Sequence, residues 1–133
     1  MNCSVENKRV LVVGAARSGV STMEVLKSLG ATVVLNDIKT EAQLGPLYEE
    51  LKEKSDELIL GKHPDDMTAF DFVVLSPGVP IDLPFILNAK ASGVEVIGEL
   101  ELAYQNCRGI FTGITGTNGK TTTTSLVGAI YKQ

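Results

Sequence analysis

The run Thr115-Gly116-Thr117-Asn118-Gly119-Lys120-Thr121-Thr122 has the residue types, at the spacing, that a phosphate-binding loop needs. Gly116 and Gly119 let the backbone fold its N–H groups around an anion, and a helix start at Lys120 adds partial positive charge. Lys120 stands where an ammonium reaches the β- and γ-phosphates of ATP, and the Thr121 hydroxyl where it ligates Mg²⁺. Thr117, Asn118 and Thr122 complete the loop around the triphosphate. The strict pattern G-x-x-x-x-G-K-[ST] asks for glycine at position 114, where this chain has Ile114. Ahead of the loop, Gly109-Ile110-Phe111-Thr112-Gly113-Ile114 is apolar and β-branched enough to predict a buried strand. Behind it, Leu126, Val127, Ile130 and Tyr131 recur at helical spacing, which predicts a helix.

A second glycine turn lies near the start of the chain. Lys8 to Val13 is a continuous apolar strand, followed by Gly14-Ala15-Ala16-Arg17-Ser18-Gly19. Val20, Met23, Leu26 and Leu29 then line one face of a helix that Gly30 stops, and Ala31 to Asn36 forms a second strand ending at Asp37. Strand, glycine turn, helix, strand and acid describe a Rossmann-type mononucleotide site. Asp37 lies 18 residues past Gly19, near the ~20 expected of a ribose-binding acid. That alone points to NAD. Yet Ala16 stands where the dinucleotide fingerprint places its middle glycine, and a Cβ there hinders the approach of a pyrophosphate. A nucleotide diphosphate held on the Arg17 and Ser18 side fits at least as well, and both readings stay open at this point.

Further along, Ser76-Pro77-Gly78-Val79-Pro80 leaves the C-terminal end of another strand, at the sheet edge where α/β folds bind ligands. Gly78 would permit backbone contact with a base or sugar. His63, the only histidine, falls in a loop with no metal or catalytic partner beside it in sequence and is expected to be an ordinary surface residue.

These residues must be positioned by alternating strands and helices. Glu57–Leu60, Asp71–Leu75 and Val94–Ile97 complete a set of five short apolar runs, with helices expected from Pro46 to Lys54 and from Pro84 to Ser92. Thr40 with Gln43 has the form of a capping box, and Glu50–Lys54 that of an i,i+4 ion pair. Runs apolar on both faces, alternating with helices, predict an α/β, Rossmann-like five-stranded parallel sheet with helices on both faces. Residues 1–98 form that domain. Residues 99–133 add a helix over Glu99–Asn106 and then the first strand, phosphate loop and helix of an ATPase-type domain. A phosphate-loop strand needs parallel neighbours and a later carboxylate for its metal, so the chain is expected to be the N-terminal part of a longer protein.

Composition narrows the classes. The chain has 133 residues, a net charge of −4 and a pI of about 5.0. No basic stripe is present to neutralise nucleic-acid phosphates. Cys3 and Cys107 are far apart and form no C-x-x-C pair, so two reduced thiols are expected. The polar Met1–Glu6 start carries no signal peptide, and no apolar run approaches the ~20 residues that span a bilayer. A cytoplasmic protein that binds neither membrane nor nucleic acid is expected.

The Thr115–Thr122 loop resembles the ATP loop of the Mur ligases and their folylpolyglutamate synthetase relatives, which carry asparagine before the last glycine and lack the leading one. The Gly14–Gly19 turn, Asp37, the Ser76–Pro80 loop and Gly98-Glu99-Leu100-Glu101-Leu102 extend the resemblance to nearly the whole chain. It implies an ATP- and Mg²⁺-dependent amide ligase of peptidoglycan synthesis, most similar to the branch that joins D-glutamate to UDP-N-acetylmuramoyl-L-alanine through an acyl phosphate. In that scheme Arg17 and Ser18 contact the diphosphate, Asp37, Ile38 and Lys39 flank the uracil or ribose, and Gly78 touches the uracil. Gly116 to Thr122 bind ATP, with Lys120 and Thr121 at the chemistry and Thr121 on the metal. A monomer is expected, and residues 1–133 alone are expected to be inactive. An NAD-binding dehydrogenase or sensor module would leave Lys120 unused, and a phosphate-loop switch or motor would leave the first domain idle.

Overall fold

A computed structural model describes residues 4–133 of the chain. Strand β1 (Arg9–Val13) occupies the middle of the sheet, because Val10, Leu11, Val12 and Val13 are apolar toward both faces and at most 2% exposed. Around it lie β2 (Thr32–Asp37), β3 (Glu57–Leu60), β4 (Phe72–Leu75) and β5 (Glu95–Gly98), in the order β3-β2-β1-β4-β5. Every pairing is parallel, as the alternation of strands with helices predicts. The order reverses between β1 and β4, and such a switch point opens a crevice at the strands' C-terminal ends.

The alternation of side chains along β1 divides the core in two. Val10 and Val12 pack with Met23 and Leu26 of α1 (Arg17–Ser28), Leu44 of α2 (Glu41–Leu44) and Leu51 of α3 (Leu47–Lys54). Leu11 and Val13 pack on the other face with Ile86 and Ala89 of α4 (Pro84–Ala91) and with Met67 and Phe70 around a short 3₁₀ turn. Burying a side chain of this size stabilises the fold by roughly 1.5–3 kcal/mol relative to leaving it in water.

The helices end where their residues require. Leu29 caps α1, and Gly30, at φ +85°, takes the left-handed conformation that a side chain resists. Its N–H then donates to the Lys27 carbonyl and that of Ala31 to the Leu26 carbonyl, both at 3.0 Å. This doubly bonded stop delivers the chain directly into β2. The same pair of bonds closes α4 ahead of β5, through Gly93 and Val94. Thr40 and Gln43 form the expected capping box of α2, and Lys54 meets Glu50 at 2.6 Å.

After β5, α5 (Glu99–Asn106) packs Leu102 against the first core cluster. The expected strand over 109–114 does not form. Ile110 is 99% exposed, and no strand of the sheet runs beside the segment. A β-strand is held by a neighbour's backbone, so apolar composition without a partner leaves an irregular stretch. The helix after the loop, α6 (Lys120–Tyr131), forms as expected but buries none of its residues.

Candidate functional site at the glycine turns

The first turn is tied to both strands beside it. The Gly14 N–H donates to the backbone carbonyl of Asn36 at 2.8 Å, which continues the β1–β2 ladder one step beyond β1. Asp37 then closes the turn, one carboxylate oxygen accepting the Ala15 N–H and the other that of Lys39, each at 2.8 Å. On the other side, the Ser76 hydroxyl donates to Glu99 Oε1 at 2.8 Å, joining the end of β4 to the start of α5.

Helix α1 begins here without a side-chain cap. Ala16 is its N-cap residue, and the first helical bond runs from the Val20 N–H to the Ala16 carbonyl at 3.1 Å. Among the described residues, the N–H groups of Arg17, Ser18 and Gly19 find no protein acceptor. Uncapped donors at a positive helix end are suited to an anion, and Arg17, exposed at the first helical position, adds a full charge.

A cleft of about 290 Å³ opens at the switch point. Its walls bring together Gly14, Asp37, Ile38 and Gly78, four positions singled out from sequence. Lys39 is exposed beyond the rim, and Ser18 borders a separate groove between α1 and α5. Gly78 itself is open: a Cβ built there would meet no atom within 4 Å. The fold therefore does not require glycine at 78, which leaves its small size available to a ligand.

His63 departs from expectation, for it borders the cleft instead of standing free on the surface. Its ring stacks on Phe85 with centroids 3.9 Å apart and planes 15° from parallel. Its Nδ1 lies 2.8 Å from Oδ1 of Asn36, a residue with no exposed surface. Burial holds the imidazole below its ordinary pKa, partly opposed by the charge of Asp37. One signal in the sequence could have pointed here. Asn36 is an amide ending an apolar strand, and a buried amide must find partners.

At the second turn, Gly119 adopts the left-handed conformation at φ +80° as N-cap of α6, with Lys120 the first helical residue. The first helical bond runs from the Thr123 N–H to the Gly119 carbonyl at 2.9 Å, so the N–H groups of Lys120, Thr121 and Thr122 lie ahead of it. Free N–H groups at a helix start are the kind of donors an anion can use, and Thr121 is exposed beside them. Among the described residues no group of three or more His, Cys, Asp or Glu side chains is placed to hold a metal. Thr121 thus stands without a carboxylate cluster. The cleft at the first turn has no lining residue from the second. Cys107 is a free, exposed thiol, and Cys3 lies outside the described residues.

Comparison with known proteins gives these features a context. Residues 8–98 match the family model of the Mur ligase MurD-like N-terminal domain. The chain is 54% identical over 131 residues to the UDP-N-acetylmuramoylalanine–D-glutamate ligase of Clostridioides difficile, covering 97% of this chain and 29% of that one. A solved pseudomurein peptide ligase type C from Methanothermus fervidus superposes with a TM-score of 0.57 at 30% identity, over 95% of this chain and 26% of its own. The UDP-N-acetylmuramate-alanine ligase of Thermotoga maritima, at 24% identity and a TM-score of 0.59 over 95% of this chain and 29% of its own, shares the fold.

Proposed function

Since the chain belongs to the Mur ligase family through its MurD-like N-terminal domain, we propose that it is the UDP-sugar-binding part of an ATP-dependent ligase. The whole enzyme would join D-glutamate to UDP-N-acetylmuramoyl-L-alanine in the cytoplasm, as a monomer. The observation that carries this reading is the convergence of Asp37, Ile38 and Gly78 on one cleft at the switch point, beside the uncapped start of α1.

Each group then has a task. The open N–H groups at the start of α1 and the Arg17 guanidinium hold the diphosphate, with the Ser18 hydroxyl beside them. Asp37, Ile38 and Lys39 flank the ribose or uracil, Lys39 from beyond the rim, and Gly78 lets the base approach the backbone. Asp37 supports the turn as well, since its carboxylate binds the Ala15 N–H. One residue thus couples the shape of the phosphate turn to the base cleft.

Residues 99–133 are assigned to the start of the ATP-binding domain, with Gly116, Thr117, Asn118, Gly119 and Thr122 cradling the triphosphate. Lys120 would balance charge on the transferred phosphoryl group, and Thr121 would contribute one ligand to Mg²⁺, which supplies electrostatic stabilisation when bound. Because α6 buries no residue here, ATP is expected to bind this chain at millimolar affinity or weaker, on the order of 4 kcal/mol.

Separate calorimetric titrations with UDP-N-acetylmuramoyl-L-alanine, NAD and ATP test the proposal. The UDP-sugar is expected to bind, and Arg17→Ala to weaken it by about 1–3 kcal/mol through loss of a charge-assisted hydrogen bond. Binding of NAD without binding of the UDP-sugar would overturn the reading in favour of a dinucleotide module.

A further inference from the structure

We infer that His63 selects the base of the bound nucleotide, its Nε2 lone pair accepting the imide N–H of a uracil-type ring. This rests on the proposal that a uridine nucleotide occupies the switch-point cleft, and it adds a specificity residue to that site.

The buried amide of Asn36 fixes the state of the imidazole. Asn36 Nδ2 donates to the backbone carbonyls of Ile59 at 2.8 Å and Lys62 at 2.7 Å. Carbonyls accept only, so the amide cannot be turned round without losing both bonds. Its Oδ1 is therefore the atom facing His63, and the 2.8 Å contact requires the proton on Nδ1. A neutral imidazole protonated at Nδ1 carries its lone pair on Nε2. The Phe85 stack fixes the plane of the ring, so Nε2 is held in place.

The rest of the cleft leaves little else to read a base. Val13, Ile38, Val79, Pro80 and Leu83 are apolar, and Asp37 and His63 are the lining side chains with hydrogen-bonding atoms. Each oxygen of Asp37 already accepts one backbone N–H and keeps its remaining lone pair for the ribose. Nε2 of His63 makes no hydrogen bond among the described residues, which leaves it as the acceptor for the base. A uracil presents one N–H between two carbonyls, whereas a cytosine presents a lone pair at the same ring position. An acceptor at Nε2 favours the first and opposes the second. Asp37, from the end of β2, is the charged group acting on the ring, while Asn36 on the same strand and Phe85 on α4 are uncharged.

The experiment compares UDP, CDP and 3-methyl-UDP by calorimetry, on this chain and on His63→Phe, which retains an aromatic ring for the stack but has no nitrogen. UDP is expected to bind about tenfold more tightly than either analogue, the worth of one hydrogen bond. His63→Phe should reduce that ratio to near one. The preference for UDP over CDP should fall with pH as Nε2 gains a proton, below the ordinary histidine range, and stay flat in the variant. An unchanged ratio in a folded His63→Phe would overturn the inference, as would equal binding of UDP and 3-methyl-UDP, which needs no variant. Failure of the chain to bind UDP at all would instead overturn the function on which the inference rests.

Discussion

A Cβ built on Gly19 would stand 1.9 Å from the carbonyl oxygen of Gly14. The two glycines of the first turn therefore touch: α1 presses its first turn directly against the backbone leaving β1, and nothing larger than hydrogen fits between them. Gly19→Ala is expected to destabilise the chain by about 3 kcal/mol or more, since a backbone atom cannot step aside as a flexible side chain would. Gly78→Ala is the informative contrast, because its Cβ would enter open space. It should change stability by less than about 0.5 kcal/mol and still weaken UDP-sugar binding. Chemical denaturation and calorimetry on the two variants separate a glycine kept for folding from one kept for a ligand.

The amide of Asn36 makes a prediction of its own. It reaches out from β2 to hold two carbonyls at the end of β3 and the ring of His63. Asn36→Leu keeps the approximate volume but strands those part-buried carbonyls. A loss of about 2–3 kcal/mol is expected in urea denaturation, at roughly 1 kcal/mol for each bond removed. Loss of the preference for UDP over CDP should accompany it, because nothing would then fix the proton on Nδ1.

The five strands were legible because each is a short run rich in apolar and β-branched residues, bracketed by glycine, proline or acid, and each has a partner within the chain. Residues 109–114 have the same composition and form no strand, since pairing depends on a neighbour that composition does not encode. Asp37 and Gly78 could be placed from spacing alone, as both fall where strand ends meet loops. His63 could not. Its partners, Asn36 and Phe85, lie on β2 and α4, and only the parallel pairing of β3 beside β2 brings them to it. Asp37's hold on the Ala15 N–H was hidden for the same reason, being a contact between two strand ends.

A pH dependence of stability follows from the same histidine. Its pKa in the folded chain lies below the ordinary 6.5, so the unfolded chain binds the proton more readily. Between the two values the unfolded state therefore carries more protons, and stability rises with pH. The contribution is complete above about pH 6.5 and is lost as pH falls from there toward the depressed folded value. Comparing thermal midpoints of the chain and of His63→Phe from pH 7.5 to 5 should show a steeper loss for the chain. Parallel curves would mean that burial does not penalise the imidazolium.

The last prediction concerns Lys120, which begins α6 immediately after the left-handed Gly119. Its ammonium is carried by a helix end with free N–H groups, far along the chain from the switch-point cleft. The two sites share no lining residue, so their energetics should separate cleanly. In the complete enzyme, Lys120→Ala is expected to abolish ligase turnover, since a full positive charge is removed from the phosphoryl group in transfer. The same variant should bind the UDP-sugar within about twofold of the parent, a difference of ~0.4 kcal/mol. Steady-state kinetics with calorimetry on one preparation reads both quantities. Normal turnover in the variant would remove the phosphate-loop assignment, and a large loss of UDP-sugar affinity would show that the sites are coupled.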